Sequence, residues 1–111
     1  MITHNISINK NALMRILSNT KSIEGRIKRG LFSRIKKGDR IKFYHDKNQC
    51  LTKITNIVEY KNILEYLSNE NLDKINSCKN KSEILDIYKK FYPNILKEDR
   101  NFLAIRFEII E

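Results

Sequence analysis

Lys21, Glu24 and Arg26 fall within six positions of the segment NTKSIEGRI, residues 19–27. Two cations and a carboxylate at this spacing support three kinds of chemistry. The cations can hold a phosphate, and Glu24 can accept from a base amino group or orient Arg26. As catalytic groups, Glu24 with Lys21 or Arg26 can supply a general base beside a phosphate-binding cation. Alternatively Glu24 and Arg26 simply pair on one strand face, which contributes less than about 1 kcal/mol if exposed. Downstream, Lys28, Arg29, Arg34, Lys36, Lys37, Arg40 and Lys42 can form a rim that tracks phosphates, with Tyr44 available to stack a base. A solvated surface accounts for the same cations, and edge packing for the tyrosine. Gly38 and Asp39 read as a structural tight turn.

The chain that positions these residues has 111 residues, enough for one domain spanning 1–111 and one core. Its net charge of +9 is unevenly placed: residues 10–53 hold thirteen Lys or Arg against Glu24, Asp39 and Asp46, a balance of +10. Such asymmetry suits a surface that meets phosphates. A bias towards Ile, Lys and Asn, as AT-rich coding produces, explains part of it without any ligand. The longest apolar run, Phe102-Leu103-Ala104-Ile105, is far too short to span a membrane. No signal-peptide pattern opens the chain. Cys50 and Cys78 form no C-x-x-C motif and read as inert, reduced thiols in a cytoplasmic, intracellular protein. His4 and His45 are isolated, so no metal and no cofactor are expected. His45, placed in a loop, is assigned no role.

Period-2 alternation predicts strands at Ile2–Ile8, Ile23–Ile27, Ile41–Phe43 and about Cys50–Tyr60 (with one bulge), and a closing strand in NFLAIRFEII. In the second of these, Ile23 and Ile27 face the core, so Glu24 and Arg26 share the opposite face, open either to solvent or to a cleft. Helical spacing predicts a helix near residues 10–18, capped by Asn9 or Asn11, and another near 82–92, capped by Ser82 and ended by Pro93. Tyr88, Phe91 and Tyr92 on the latter are expected in the core. Short helices are expected over Gly30–Lys37 and Asn62–Ile75. Five strands interrupted by short helices describe an α+β fold, a small mixed barrel with helices at its ends.

These residues resemble a known family. NTKSIEGRI is similar to the Gly-x-Lys-x-x-Glu-x-Arg signature of ASCH domains, a branch of the PUA-like superfamily, with Asn19 in place of the glycine. IKKGDRIKF, SEILDIYKKFYP and FLAIRFEII resemble the following turn, the final helix and the closing strand, so the likeness covers nearly the whole chain in order. It implies a PUA-like barrel of about five or six strands, with Lys21, Glu24 and Arg26 lining a cleft between barrel and helices. The implied ligand is RNA or a modified, nucleobase-like nucleotide. The alternative is a hydrolase of a modified nucleoside or of RNA, using Lys21 and Glu24. Some relatives deacylate acetylcytidine with a lysine, a threonine three residues later and a glutamate. Here Glu24 holds the threonine's place, Glu70 matches the glutamate by region only, and a carboxylate beside Lys21 is expected to keep it protonated. Efficient deacetylation is therefore not expected. Lys21 is expected on a turn at the cleft mouth, where its removal or that of Arg26 weakens binding and leaves stability nearly unchanged.

Overall fold

The computed structural model describes residues 1–111. Alternating apolar residues draw out five strands: β1 (Thr3–Ser7), β2 (Ile23–Ile27), β3 (Arg40–His45), β4 (Asn48–Tyr60) and β5 (Phe102–Ile109). They form one sheet in the order β1-β3-β4-β5-β2. β1 runs parallel to β3 and all other pairs are antiparallel. The sheet is mixed and curled into a half-barrel, the PUA-like α+β arrangement. An irregularity between Ile54 and Asn56 supplies the expected bulge and bends β4.

Each face of the sheet packs its own core. Ile41 and Phe43 point into the curl, where Ile6, Ile105 and Phe107 meet Leu13 and Ile16 of α1 (Lys10–Leu17). Asn9 caps α1, its side chain accepting from the Ala12 amide. On the other face Ile23, Ile27, Phe102 and Ala104 pack against α2 (Ile63–Asn69) and α4 (Lys81–Phe91), with the single-turn α3 (Leu72–Ile75) at one end. A short 3-10 turn at Gly30–Ser33 leads into β3. Asn80, and not Ser82, caps α4. Its side chain accepts from the Glu83 amide while Glu83 reaches back to the Asn80 amide, and this reciprocal pair outcompetes a lone hydroxyl two residues on.

The turn at Gly38 and Asp39 is anchored as well as tight. Gly38 takes φ +93°, a left-handed value that favours glycine. Asp39 is buried and its carboxylate accepts from the Ile2 and Lys36 amides and from His4 Nε2, the last at 2.9 Å. It thus ties β1 to the entry of β3.

β2 is thin by necessity. A Cβ at Gly25 would lie 2.4 Å from the Tyr88 hydroxyl, 2.7 Å from the Tyr66 hydroxyl and 2.8 Å from the Phe102 ring. These rings form one aromatic cluster, with Tyr66 and Phe102 centroids 4.8 Å apart. Gly25→Ala should therefore lower stability by about 1–3 kcal/mol through overpacking, read as a fall in the denaturant midpoint at unchanged slope. An unchanged midpoint would mean that the tyrosines yield freely.

Candidate functional site

Because Ile23, Gly25 and Ile27 serve the helix-side core, Glu24 and Arg26 emerge on the other face of β2, as the alternation requires. That face is a cleft of about 430 Å³ between α1, β2 and α4. Its walls are Ile8, Ala12, Ile84, Ile87, Tyr88, Phe91 and Tyr92, and its polar groups include Arg15, Lys21, Glu24, Arg26, His45 and Asn76.

Lys21 is buried, not at the mouth. Its Nζ donates to Ile23 O at 2.7 Å and Ile75 O at 3.0 Å, and stands 3.2 Å from Glu24 Oε1. An ammonium has three N–H donors, and here all three have protein acceptors. Burial draws its pKa below the ordinary lysine value, against the opposing pull of Glu24. Glu24 does pull Lys21 towards the protonated form, as expected, but desolvation is the larger effect on its pKa.

Glu24 is the centre of the cluster. Burial pushes its pKa up, but Lys21 and Arg26 together overcome that and hold the carboxyl below its ordinary value. Arg26 donates to Glu24 Oε2 from Nε at 3.2 Å and from Nη2 at 2.8 Å, and its guanidinium lies over the Phe32 ring, 5.2 Å from the centroid. Arg26 Nη1 makes no protein hydrogen bond, and the side chain keeps 25 % exposure. One guanidinium edge therefore remains for a ligand.

The other predicted residues are not drawn into this cleft. Lys28, Arg29, Arg34, Lys36, Lys37, Arg40, Lys42 and Tyr44 are absent from its lining. In β3 the inward positions belong to Ile41 and Phe43, so Arg40, Lys42 and Tyr44 face outward by parity. Lys28 pairs with Glu59 at 2.8 Å, and Arg29 reaches only the edge, over the Tyr92 ring. Glu70 is elsewhere too. It is buried against Arg106, which donates from Nε at 3.0 Å and Nη2 at 2.8 Å, and against the Tyr60 hydroxyl, whose pKa burial and Glu70 push up to about 12. Glu70 and the Lys21 cluster line separate pockets.

Four lining residues were not anticipated. His45 ends β3 instead of lying in a loop, and its Nδ1 bonds Ile8 O at 3.0 Å. Phe91, expected in the core, is 60 % exposed at the cleft, because α4 turns only Ile84 and Tyr88 fully inward. Arg15 had helical position as a signal, since it lies on α1 opposite Leu13. Asn76 had none among thirteen asparagines.

The half-barrel and its helices share the fold of solved ASCH-domain structures. No protein-family model and no curated protein matches the sequence. Among solved structures, the hypothetical protein PH0355 is similar over 99% of this chain and 100% of its own, at 26% identity and a TM-score of 0.86. Protein PF0455 from Pyrococcus furiosus is similar over 98% of both chains, at 26% identity and a TM-score of 0.77. A mutant of ZmASCH from Zymomonas mobilis shares the fold at 14% identity and a TM-score of 0.64, over 96% of this chain and 70% of that one.

The buried cluster has a consequence for stability. Lys21→Ala would strip a partner from buried Glu24 and leave two carbonyls bare, costing about 3–5 kcal/mol. This revises the expectation that stability is nearly unaffected. Because the folded Glu24 pKa lies below its ordinary value of 4.5, its stabilisation is full above that pH and lost as pH falls through the folded value. Glu24→Gln should flatten the acid limb of a stability–pH profile. An acid limb as steep as in the wild type would place the titration elsewhere.

Proposed function

We propose that this protein is an RNA- or nucleotide-binding module that takes one nucleotide unit into the cleft beside β2. The observation that carries this reading is the free Arg26 edge fixed next to an ionised Glu24, in an open cleft with aromatic and apolar walls. The guanidinium donates to a phosphate or a base carbonyl, Glu24 accepts from a base N–H, and Phe91 or Tyr92 covers a ring face. A cleft of about 430 Å³ suits a nucleoside-sized group and not a folded polymer. An RNA would enter through a single unstacked base. The outward cations of β3 and its preceding loop then meet flanking phosphates.

Binding is favoured over hydrolysis by the state of Lys21. Although burial lowers its pKa, its Nζ is engaged by two backbone carbonyls and by Glu24 instead of being open to a substrate carbonyl. The threonine of the acetylcytidine amidohydrolase pattern is also absent, with Glu24 in its place.

The test compares Arg26→Ala with Lys47→Ala for nucleoside monophosphates and a short single-stranded RNA over a range of salt. Arg26→Ala should weaken both ligands by about 1–3 kcal/mol, the scale of a charge-assisted hydrogen bond, while Lys47→Ala changes little. RNA affinity should fall steeply with salt and mononucleotide affinity less so. Equal losses in the two variants would reduce the cluster to general charge. No binding to either ligand at low ionic strength would overturn the proposal.

A further inference from the structure

Arg106 is a second arginine that a buried glutamate holds with one edge open. The Glu70 side chain is fully covered, and it accepts from Arg106 Nε at 3.0 Å and Nη2 at 2.8 Å and from the Tyr60 hydroxyl. Burial pushes the Glu70 pKa up, but Arg106 and Tyr60 outweigh it and hold the carboxyl below its ordinary value. The guanidinium is thus fixed along one edge. Its Nη1 donates to no protein acceptor, and 42 % of the side chain is exposed. Arg26 stands to Glu24 in the same relation, but Arg106 is no part of the nucleotide cleft.

It opens instead into a pocket of about 470 Å³ that Ser22 and Lys74 also line. Ser22 joins the walls through its backbone. Its amide donates to Lys74 O at 2.9 Å, and its carbonyl accepts from the amide of Phe107, the neighbour of Arg106, at 3.0 Å. Lys74 is exposed, and its ammonium pairs with no carboxylate. Glu70 is the only carboxylate in the lining and is covered, so Arg106 and Lys74 leave one positive charge in excess. The pocket also abuts the cleft. Ile23 and Lys74 line the pocket, whereas the next residues, Glu24 and Ile75, line the cleft. Consecutive α-carbons lie about 3.8 Å apart, so β2 and α3 make a thin shared wall.

We propose that this pocket is a phosphate subsite, in which Arg106 and Lys74 hold a backbone phosphate of an RNA whose neighbouring base occupies the cleft. This inference rests on the nucleotide-binding reading above. The open guanidinium edge suits a phosphate oxygen and needs no ordering, while Lys74 adds a flexible point charge. A phosphate held here sets the register of the strand and reads no sequence.

The experiment titrates a short single-stranded RNA, a nucleoside and inorganic phosphate against wild-type protein, Lys74→Ala and the control Lys47→Ala over a range of salt. Lys74→Ala should weaken RNA by about tenfold at low salt, lower the salt slope by about one, and leave nucleoside affinity unchanged. Arg106→Lys keeps the charge but loses the fork, and should likewise weaken RNA and spare the nucleoside. Inorganic phosphate alone should shift the amide NMR signals of Ser22 and Lys74. RNA affinity and salt slope in Lys74→Ala equal to those of Lys47→Ala would overturn the subsite alone, even with phosphate-induced shifts, which would then mark a free anion. A nucleoside loss in Lys74→Ala as large as the RNA loss would overturn it too, as would wild-type protein that binds the nucleoside but not RNA. Wild-type protein that binds neither would overturn the underlying reading together with this one. If Arg106→Lys fails to fold, the Lys74→Ala comparison still decides.

Discussion

A lysine ammonium buried with an acceptor for each of its protons is the interaction on which the rest of this site depends. Moving a bare cation from water into a protein interior costs several kcal/mol even after relaxation. Lys21 meets that cost by joining parts of the chain that have no other reason to be close. It takes one carbonyl from β2, one from the end of α3, and a carboxylate from Glu24. Glu24 is ionised because two cations flank it, and Arg26 is oriented because Glu24 takes two of its donors. If Lys21 were displaced, β2, α3 and the carboxylate would all lose their reference point.

Such a cluster is a poor device for stability. Apolar side chains of similar volume would fill the same space without desolvating three charges, and are often neutral or better. The arrangement makes more sense as preorganisation. Rigid charges beside a partly dehydrated cleft act more strongly on a ligand than the same charges in water, and binding then spends little on ordering them. β2 carries this division in five residues. Its even positions present ions to the cleft, while Gly25 lets two tyrosine hydroxyls approach from behind so that the strand lies flush on the aromatic core.

Much of this was legible in the sequence. Alternation at Ile41 and Phe43, and at Ile23 and Ile27, assigned facing correctly, and the apolar stripe of α1 and the closing strand were equally clear. Periodicity reports which residues share a face, however, and not what lies opposite. The burial of Lys21 depends on a carbonyl 54 positions away, and the exposure of Phe91 on where α4 passes β2. Asn76 is invisible to pattern because its burial beside the cleft exists only once the chain has folded. The basic residues misled differently. Their clustering between residues 10 and 53 is real, yet strand parity turns those of β3 away from the cleft.

That separation assigns two electrostatic roles to two surfaces. Exposed Arg34, Lys36 and Lys37 of the loop before β3, with half-buried Arg40 and Lys42 on the strand's outer face, act largely through water, so their influence decays over a Debye length of about 10 Å at moderate salt. They govern how fast a polyanion arrives and how sharply salt weakens it, but carry little information about which base is present. Inside the cleft, Lys21 and Glu24 largely cancel, leaving Arg26, with Arg15 on the same lining, as the excess positive charge. This residual field is weakly screened because the walls are apolar, and it is paired with the oriented Glu24 carboxylate. Attraction and selection are therefore separable in this fold. Changing surface lysines would alter the rate of encounter, whereas altering the residues that Lys21 holds in place would change what is retained.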